Sequence, residues 1–378
     1  MLRPDQPGPL RRRGPRPLLM HLLPGSMAVV PDPAQRPHPI PGGVDPALIA
    51  GIAAYRRHPW QRDLPDPPCI WQEGGSALLD YGREADPAVL FVPSLINRAY
   101  VLDVAPDQSM MRWLAHQGIR PLLLDWGWPG PLERRFTLTD YIAGRLERAM
   151  LAVGRPVVLA GYCMGGLLTL AAALRRPDLV HALALLATPW DFHAVNAEQA
   201  KHLGDTLPAF EPLLEMTGTL PVDTLQALFA TLEPGSIAAK YRAFGRLDQA
   251  SPAARMFVAL EDWLNDGVPL AAPVARETLA GWYGGNTTGR GAWHVAGMAV
   301  DPQTLAMPSF VAAPGRDRIV PPESALPLAR LMPGAVLHQP AAGHIGMAAG
   351  PRAQSALWEP LLGWLRGLDT HRIRKLRE

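Results

Sequence analysis

The chain is poor in cysteine: Cys69 and Cys163 are the two among 378 residues. That excludes the disulfide framework of a small secreted domain and suits a reducing compartment, where a thiol stays free to react. Charge is sparse as well, at 19% of residues, and almost balanced at a formal +2. So small an excess leaves no electrostatic footprint for nucleic acid. No apolar run reaches the roughly 18–20 residues that span a bilayer. C-x-x-C, H-E-x-x-H, EF-hand and P-loop patterns are absent, as are internal repeats, so neither a metal nor a resident cofactor is expected. What is present is apolar material, 48% of residues, over a length sufficient for one large domain or two. A globular, cytoplasmic enzyme fits that composition.

Residues 1–48 are rich in proline, arginine and glycine without helical or strand periodicity, and read as a disordered leader. Pro17–Leu23 behind Arg11-Arg12-Arg13 has the order of a signal peptide, but it is short, holds His21 and is hemmed by prolines. The leader reading is preferred, with Met27 an alternative start. Order is expected from Pro46. Short apolar runs then read as strands: Cys69–Gln72, Ser76–Tyr81, Ala88–Pro93, Arg120–Trp126, Pro156–Ala160, His181–Ala187, Ser309–Ala313 and Ala335–His338. Helical spacing lies between them, at Met110–Ala115, Tyr141–Val153 and Gly166–Leu174, and closes the chain at Ala353–Leu368. The alternation predicts a mostly parallel α/β sheet. The pattern breaks over residues 191–300, a helix-rich stretch expected to be a cap inserted between two core segments, 49–190 and 301–368. Residues 369–378 read as a basic tail.

The chemistry centres on Gly161-Tyr162-Cys163-Met164-Gly165-Gly166, placed between an apolar strand and a helix. This is the G-x-S-x-G nucleophile elbow with cysteine in place of serine. The strand-to-helix turn is too tight for a Cβ on either side, so glycine stands there. The residue at its tip projects above the sheet beside the next backbone N–H. The pattern belongs to the α/β-hydrolase fold, whose site runs nucleophile, acid, histidine along the chain. Asp317, after the strand ending at Ala313, takes the acid position, and His344, in Gly343-His344-Ile345-Gly346, takes the last. A thiol with pKa near ~8.5 is only partly ionised at neutral pH, and an imidazole beside it raises the reactive fraction. Asp317 then orients the ring. The Met164 N–H forms half of an oxyanion hole, with the other half expected near Leu95 or Ile96, Ile96 being preferred. His116, His181, His193 and His294 fall outside this order and read as structural or solvated; Cys69 reads as inert.

The chain resembles the poly(3-hydroxyalkanoate) synthases from about Val89 to Leu365. The carrying segments are Val92–Asp103, with Asn97-Arg98-Ala99-Tyr100 inside it; Leu124-Asp125-Trp126-Gly127; the elbow; Ala187–Phe192; Trp263-Leu264-Asn265-Asp266; Asp317–Pro322; and Gly343–Gly346. The resemblance implies an α/β-hydrolase core with a cap and a site that polymerises (R)-3-hydroxyacyl-CoA. Cys163 would carry the growing chain as a thioester, with CoA arriving on the substrate and leaving as product. His344 would deprotonate the thiol, and Asp317 would assist His344 or the substrate 3-hydroxyl. The length is similar to that of the short synthase type, which works with a separate accessory subunit at the polyester granule surface; a homodimer stays open. Two positions depart from the family: Met164 stands where glutamine is usual, and Arg318 where histidine is usual. The first contributes a backbone N–H, and the second favours an ionised Asp317. A thioesterase or polyhydroxyalkanoate depolymerase on the same Cys-His-Asp set remains the alternative, and the intact set argues against a non-catalytic granule-associated relative.

Overall fold

The computed structural model describes residues 12–22, 45–232 and 235–375. Its centre is an eight-stranded sheet. The strands in chain order are β1 (Cys69–Glu73), β2 (Ser76–Asp80), β3 (Ala88–Val92), β4 (Arg120–Asp125), β5 (Val157–Tyr162), β6 (Val180–Leu186), β7 (Ser309–Ala312) and β8 (Val336–His338). Their spatial order is β1-β2-β4-β3-β5-β6-β7-β8. β1 and β2 form an antiparallel hairpin, β2 lies antiparallel on β4, and the other pairs are parallel. The central strands are continuous apolar runs because both faces are covered: every residue of β3 and β5 is buried. Each predicted strand is present within a residue or two of its expected place.

The strand order reverses at β3, which sits between β4 and β5. Such a reversal opens a crevice beyond the carboxyl ends of the strands. The loops following β3, β5, β7 and β8 all emerge at that edge, and they carry Ile96, Cys163, Asp317 and His344 respectively. Helix α1 (Met164–Arg175) leaves the sheet directly after Cys163. Two of the predicted helices depart from plain α geometry. The predicted helix over Tyr141–Val153 begins as a π-helix, Asp140–Leu146, before turning α at Glu147–Ala152. The closing helix starts as the π-turn Gln354–Trp358 and runs on as Glu359–Lys375, so part of the expected tail is helix.

Among the described residues no strand joins the main sheet between Leu186 and Ser309, and the intervening stretch is largely helical. It is not one piece. The chain divides into two compact units: one takes residues up to Asp63 together with Asp223–Gly267, and the other takes Leu64–Val222 and Val268–Glu378. The expected single cap is therefore shared between them.

In the smaller unit the helix Pro46–Arg57 starts where order was expected. Asp45 caps it, its side chain accepting from the Ala47 and Leu48 N–H groups at 3.0 and 3.1 Å. It packs on Ser236–Phe244 so closely that a Cβ at Gly51 would stand 2.0 Å from the Tyr241 carbonyl oxygen. Leu48, Ile52, Tyr55, Tyr241, Phe244 and Val258 form its core.

The leader expectation needs correcting over residues 12–22. Arg12 donates to both carboxylate oxygens of Asp262 at 2.7 and 2.9 Å and to the carbonyls of His58 and Trp60. Arg16 pairs with Asp223 at 2.7 Å, and Leu18 and Leu22 pack against the apolar core. Composition pointed to disorder because it counts apolar surface, whereas this segment is held by arginines paired with Asp262 and Asp223. Residues 1–11 and 23–44 of the expected leader, with Met27, lie outside the described residues.

Candidate active site

Cys163 is the tip of a strained turn. Its φ of 56° and ψ of −128° are rare for a residue with a side chain. Its neighbours hold it there: the Cys163 N–H donates to the Leu186 carbonyl at 2.8 Å, and its own carbonyl accepts from Gly166 at 2.9 Å. The glycines are required by close approach. A Cβ on Gly161 would lie 2.4 Å from Gly166 Cα, and one on Gly165 would lie 2.1 Å from the Val92 carbonyl oxygen. Neither distance is compatible with a side chain, so α1 can press against β3 and β5 only with glycine at both positions.

The residues predicted to act together are brought together. Asp317 and His344 are separated by 27 positions, yet His344 Nδ1 meets Asp317 Oδ2 at 2.6 Å, and both are buried. The other carboxylate oxygen accepts the N–H groups of Ile319 and Val320 at 2.9 and 2.8 Å, which clamps the carboxylate in one orientation. The imidazole also lies within interaction range of the Cys163 side chain. Burial alone would lower the His344 pKa, but the Cys163 sulfur charge and the Asp317 hydrogen bond outweigh it and lift the value to about 10. A histidine so placed holds its proton more firmly than a free imidazole. Gly315 and Arg316 donate to the Pro340 and Ala342 carbonyls, at 2.9 and 3.0 Å, so the acid loop and the histidine loop form one layer.

The two oxyanion candidates differ. Met164 is the first residue of α1, so its N–H has no carbonyl partner within the helix. Ile96 is already engaged: its N–H donates to Ser94 Oγ at 3.3 Å, and its carbonyl accepts from Val268 at 2.9 Å. Ile96 is thus in the expected loop but not poised as a donor. The loop is shaped by the Asn97–Tyr100 and Leu124–Gly127 segments. Arg98 pairs with Asp125 at 3.1 Å, and the Trp126 indole donates to the Pro93 carbonyl at 3.0 Å.

Two aromatic residues near the sulfur escaped the sequence reading. Tyr162 packs at a tilt against the His344 ring, and Tyr283 comes from the π-helix α2 (Glu277–Gly284). Burial first, and then the charge of Cys163, raises the Tyr283 phenol to about 12. Its backbone is pinned from the end of β6, where His193 Nε2 meets the Tyr283 carbonyl at 2.7 Å and Asn286 bridges Asp191 and the Phe192 N–H. His193 is therefore structural, as expected, and His294 is exposed. Cys69 is exposed on the edge strand β1, remote from the elbow in the sheet order. Among the described residues no cluster of metal-ligating side chains occurs, and no helix is long and apolar enough to cross a membrane.

The strand order, the elbow and the buried histidine–aspartate pair define an α/β-hydrolase architecture. The family model for the alpha/beta hydrolase fold matches residues 87–351, and the chain belongs to that family. A carboxylesterase from the thaumarchaeon Nitrososphaera gargenis shares the fold, with a TM-score of 0.53 and 12% identity over 80% of this chain and all of that one.

Among curated proteins, the chain is similar to the poly(3-hydroxyalkanoate) polymerase subunit PhaC of Haloferax mediterranei. The two are 29% identical over 308 residues, covering 78% of this chain and 62% of that protein. The subunit of the same name from Allochromatium vinosum is 27% identical over 310 residues, covering 78% of this chain and 87% of its own. The chain thus spans less than two thirds of the Haloferax relative's length. The resemblance read from the motifs and these alignments point to the same proteins.

Proposed function

We propose that this chain is the catalytic subunit of a polyester synthase that polymerises (R)-3-hydroxyacyl-CoA. The observation that carries the reading is a thiol at the elbow beside a buried His344–Asp317 pair, in a chain whose curated relatives are poly(3-hydroxyalkanoate) polymerases.

In the proposed cycle His344 takes the proton of Cys163, and the thiolate attacks the acyl carbon of the CoA thioester. The carbonyl oxygen becomes an oxyanion beside the Met164 N–H, and Ile96 supplies a second donor once it leaves Ser94 Oγ. The carbon–sulfur bond to CoA then breaks. CoA departs with the proton held on His344, leaving the acyl group on Cys163. The 3-hydroxyl of the next (R)-3-hydroxyacyl-CoA gives its proton to His344 and attacks the Cys163 thioester, expelling Cys163 as thiolate. Cys163 then retakes the lengthened chain from its CoA thioester and CoA departs with the His344 proton, so each cycle forms one ester bond and releases one CoA. Asp317 holds the ring throughout and offsets the imidazolium charge.

Synthesis rather than hydrolysis requires that water be kept from the acyl-enzyme. The aromatic segment pinned around Tyr283 supports such a role for the part of the insertion in the larger unit. The relatives are named as subunits, and we propose a second, accessory subunit here as well, with work at the granule surface. The test is product analysis with (R)-3-hydroxybutyryl-CoA, with and without a cognate accessory subunit. Sedimentable polyester, formed faster with the partner, is expected. Stoichiometric monomeric 3-hydroxybutyrate under both conditions would make the protein a thioesterase and end the synthase reading.

A further inference from the structure

Tyr162 precedes the nucleophile, and its side chain turns to the base. Its hydroxyl donates to the backbone carbonyl of His344 at 3.2 Å, across 182 positions of sequence. Its ring faces the imidazole, with centroids 5.1 Å apart and planes inclined by 35°. The residue is 4% exposed. Three contacts therefore bear on His344: Asp317 at Nδ1, the Cys163 side chain, and Tyr162 on the ring face and main chain.

The Asp317 bond alone leaves a freedom that Tyr162 removes. A ring held only at Nδ1 pivots about that hydrogen bond, and χ2 of histidine is a soft, roughly two-fold torsion. A flat aromatic surface against one face restricts that pivot. His344 also opens the short helix α3 (His344–Ala349). A carbonyl oxygen has two lone pairs, so this one can serve the helix ladder and still accept the phenol. Burial, followed by the charges of Cys163 and Asp317, raises the Tyr162 pKa well above its ordinary value, so the group stays a donor across the working pH range.

We infer that Tyr162 is a positioning residue: its ring and hydroxyl set the plane and backbone of His344, so that the imidazole proton is shared with Cys163 rather than turned away from it. Nucleophile and base are in this way registered by adjacent residues of a single strand end. The inference rests on the Cys163–His344 reading above, and the experiment separates the two.

The readout is alkylation of Cys163 by iodoacetamide in a Cys69→Ala background, as a function of pH and without substrate. A free thiol is about 3% ionised at pH 7, so full loss of the pairing lowers the neutral-pH rate by about 30-fold and leaves the rate at pH 10 nearly unchanged. Tyr162→Leu removes ring and hydroxyl and is expected to lose about tenfold at pH 7 with the pH 10 rate intact. Tyr162→Phe keeps the ring and is expected to restore the rate to within about threefold of the parent. A Leu variant with the parent's pH profile, or one slowed equally at both pH values, overturns the inference, because the first shows no positioning and the second only altered access. Should the Leu variant fail to fold, the Phe variant decides through the proton resonance of the His344–Asp317 hydrogen bond. A shift supports the cross-tie, and an unchanged resonance overturns it. A parent protein that alkylates at pH 7 no faster than a free thiol refutes the Cys163–His344 pairing itself, which is a different outcome.

Discussion

Gly165→Ala offers a sharp test of how the elbow is built. The added Cβ would lie 2.1 Å from the Val92 carbonyl oxygen and 2.7 Å from that of Pro93, where ordinary contact begins at 3.4 Å. The deficit is about 1.3 Å against backbone, and no side-chain rotation relieves it. Helix α1 must therefore move away from the end of β3. Overpacking of this kind costs about 1–3 kcal/mol of stability. There is a functional cost as well, because the movement separates the Met164 N–H from the loop carrying Ile96. A misplacement of about 1 Å in reacting groups costs on the order of 100-fold in rate.

CoA release from 3-hydroxybutyryl-CoA should accordingly fall by about that factor, while iodoacetamide alkylation of Cys163, which needs no oxyanion hole, should fall far less. Gly363→Ala, where nothing lies within 4 Å of the new Cβ, serves as the control and should be silent in both assays. Turnover by Gly165→Ala within about threefold of the parent would refute the claim that the close approach of α1 to β3 sets the oxyanion site.

Three other outcomes are expected. Cys163→Ala should abolish both CoA release and covalent labelling by acyl-CoA, whereas Cys69→Ala should retain both; labelling that follows Cys69 would reverse the assignment. His344→Gln should lower Cys163 alkylation at pH 7 by about 30-fold but leave it nearly unchanged at pH 10. The sign follows from the His344 pKa being raised to about 10: below that pH the imidazolium sustains the thiolate, and above it the thiol ionises unaided, so a pH-independent loss would contradict the pairing. Arg12→Ala should destabilise the protein by about 1–3 kcal/mol in urea unfolding, because it removes charge-assisted bonds to Asp262. An unchanged midpoint would return residues 12–22 to the dispensable leader first expected.

Much of the site was legible because its signals are local. Glycines flanking Cys163, an apolar strand before it and a helix after it occupy a few consecutive positions, and steric crowding leaves the chain little choice there. The triad order carried Asp317 and His344 for a similar reason: each follows a short apolar strand, and loops at that sheet edge converge. The strands themselves were readable as buried runs bounded by turn residues.

Tertiary structure decided what depends on partners far apart in sequence. The Tyr162 hydroxyl meets a carbonyl 182 positions away, and Arg12 meets a carboxylate 250 positions away. Neither leaves any periodicity to read, and composition even argued for disorder around Arg12. The Ile96 N–H reads identically whether it faces a substrate or Ser94 Oγ, because a backbone donor carries no residue signature. The helix-rich insertion looked continuous from its pattern, yet its middle joins the N-terminal helix through a cluster of Tyr55, Tyr241, Phe244 and Val258. Sequence by itself determined which groups are presented at the sheet edge, since backbone sterics act over short range. Which of them meet, and in what orientation, was set by packing and hydrogen bonds that exist only once the chain has closed on itself.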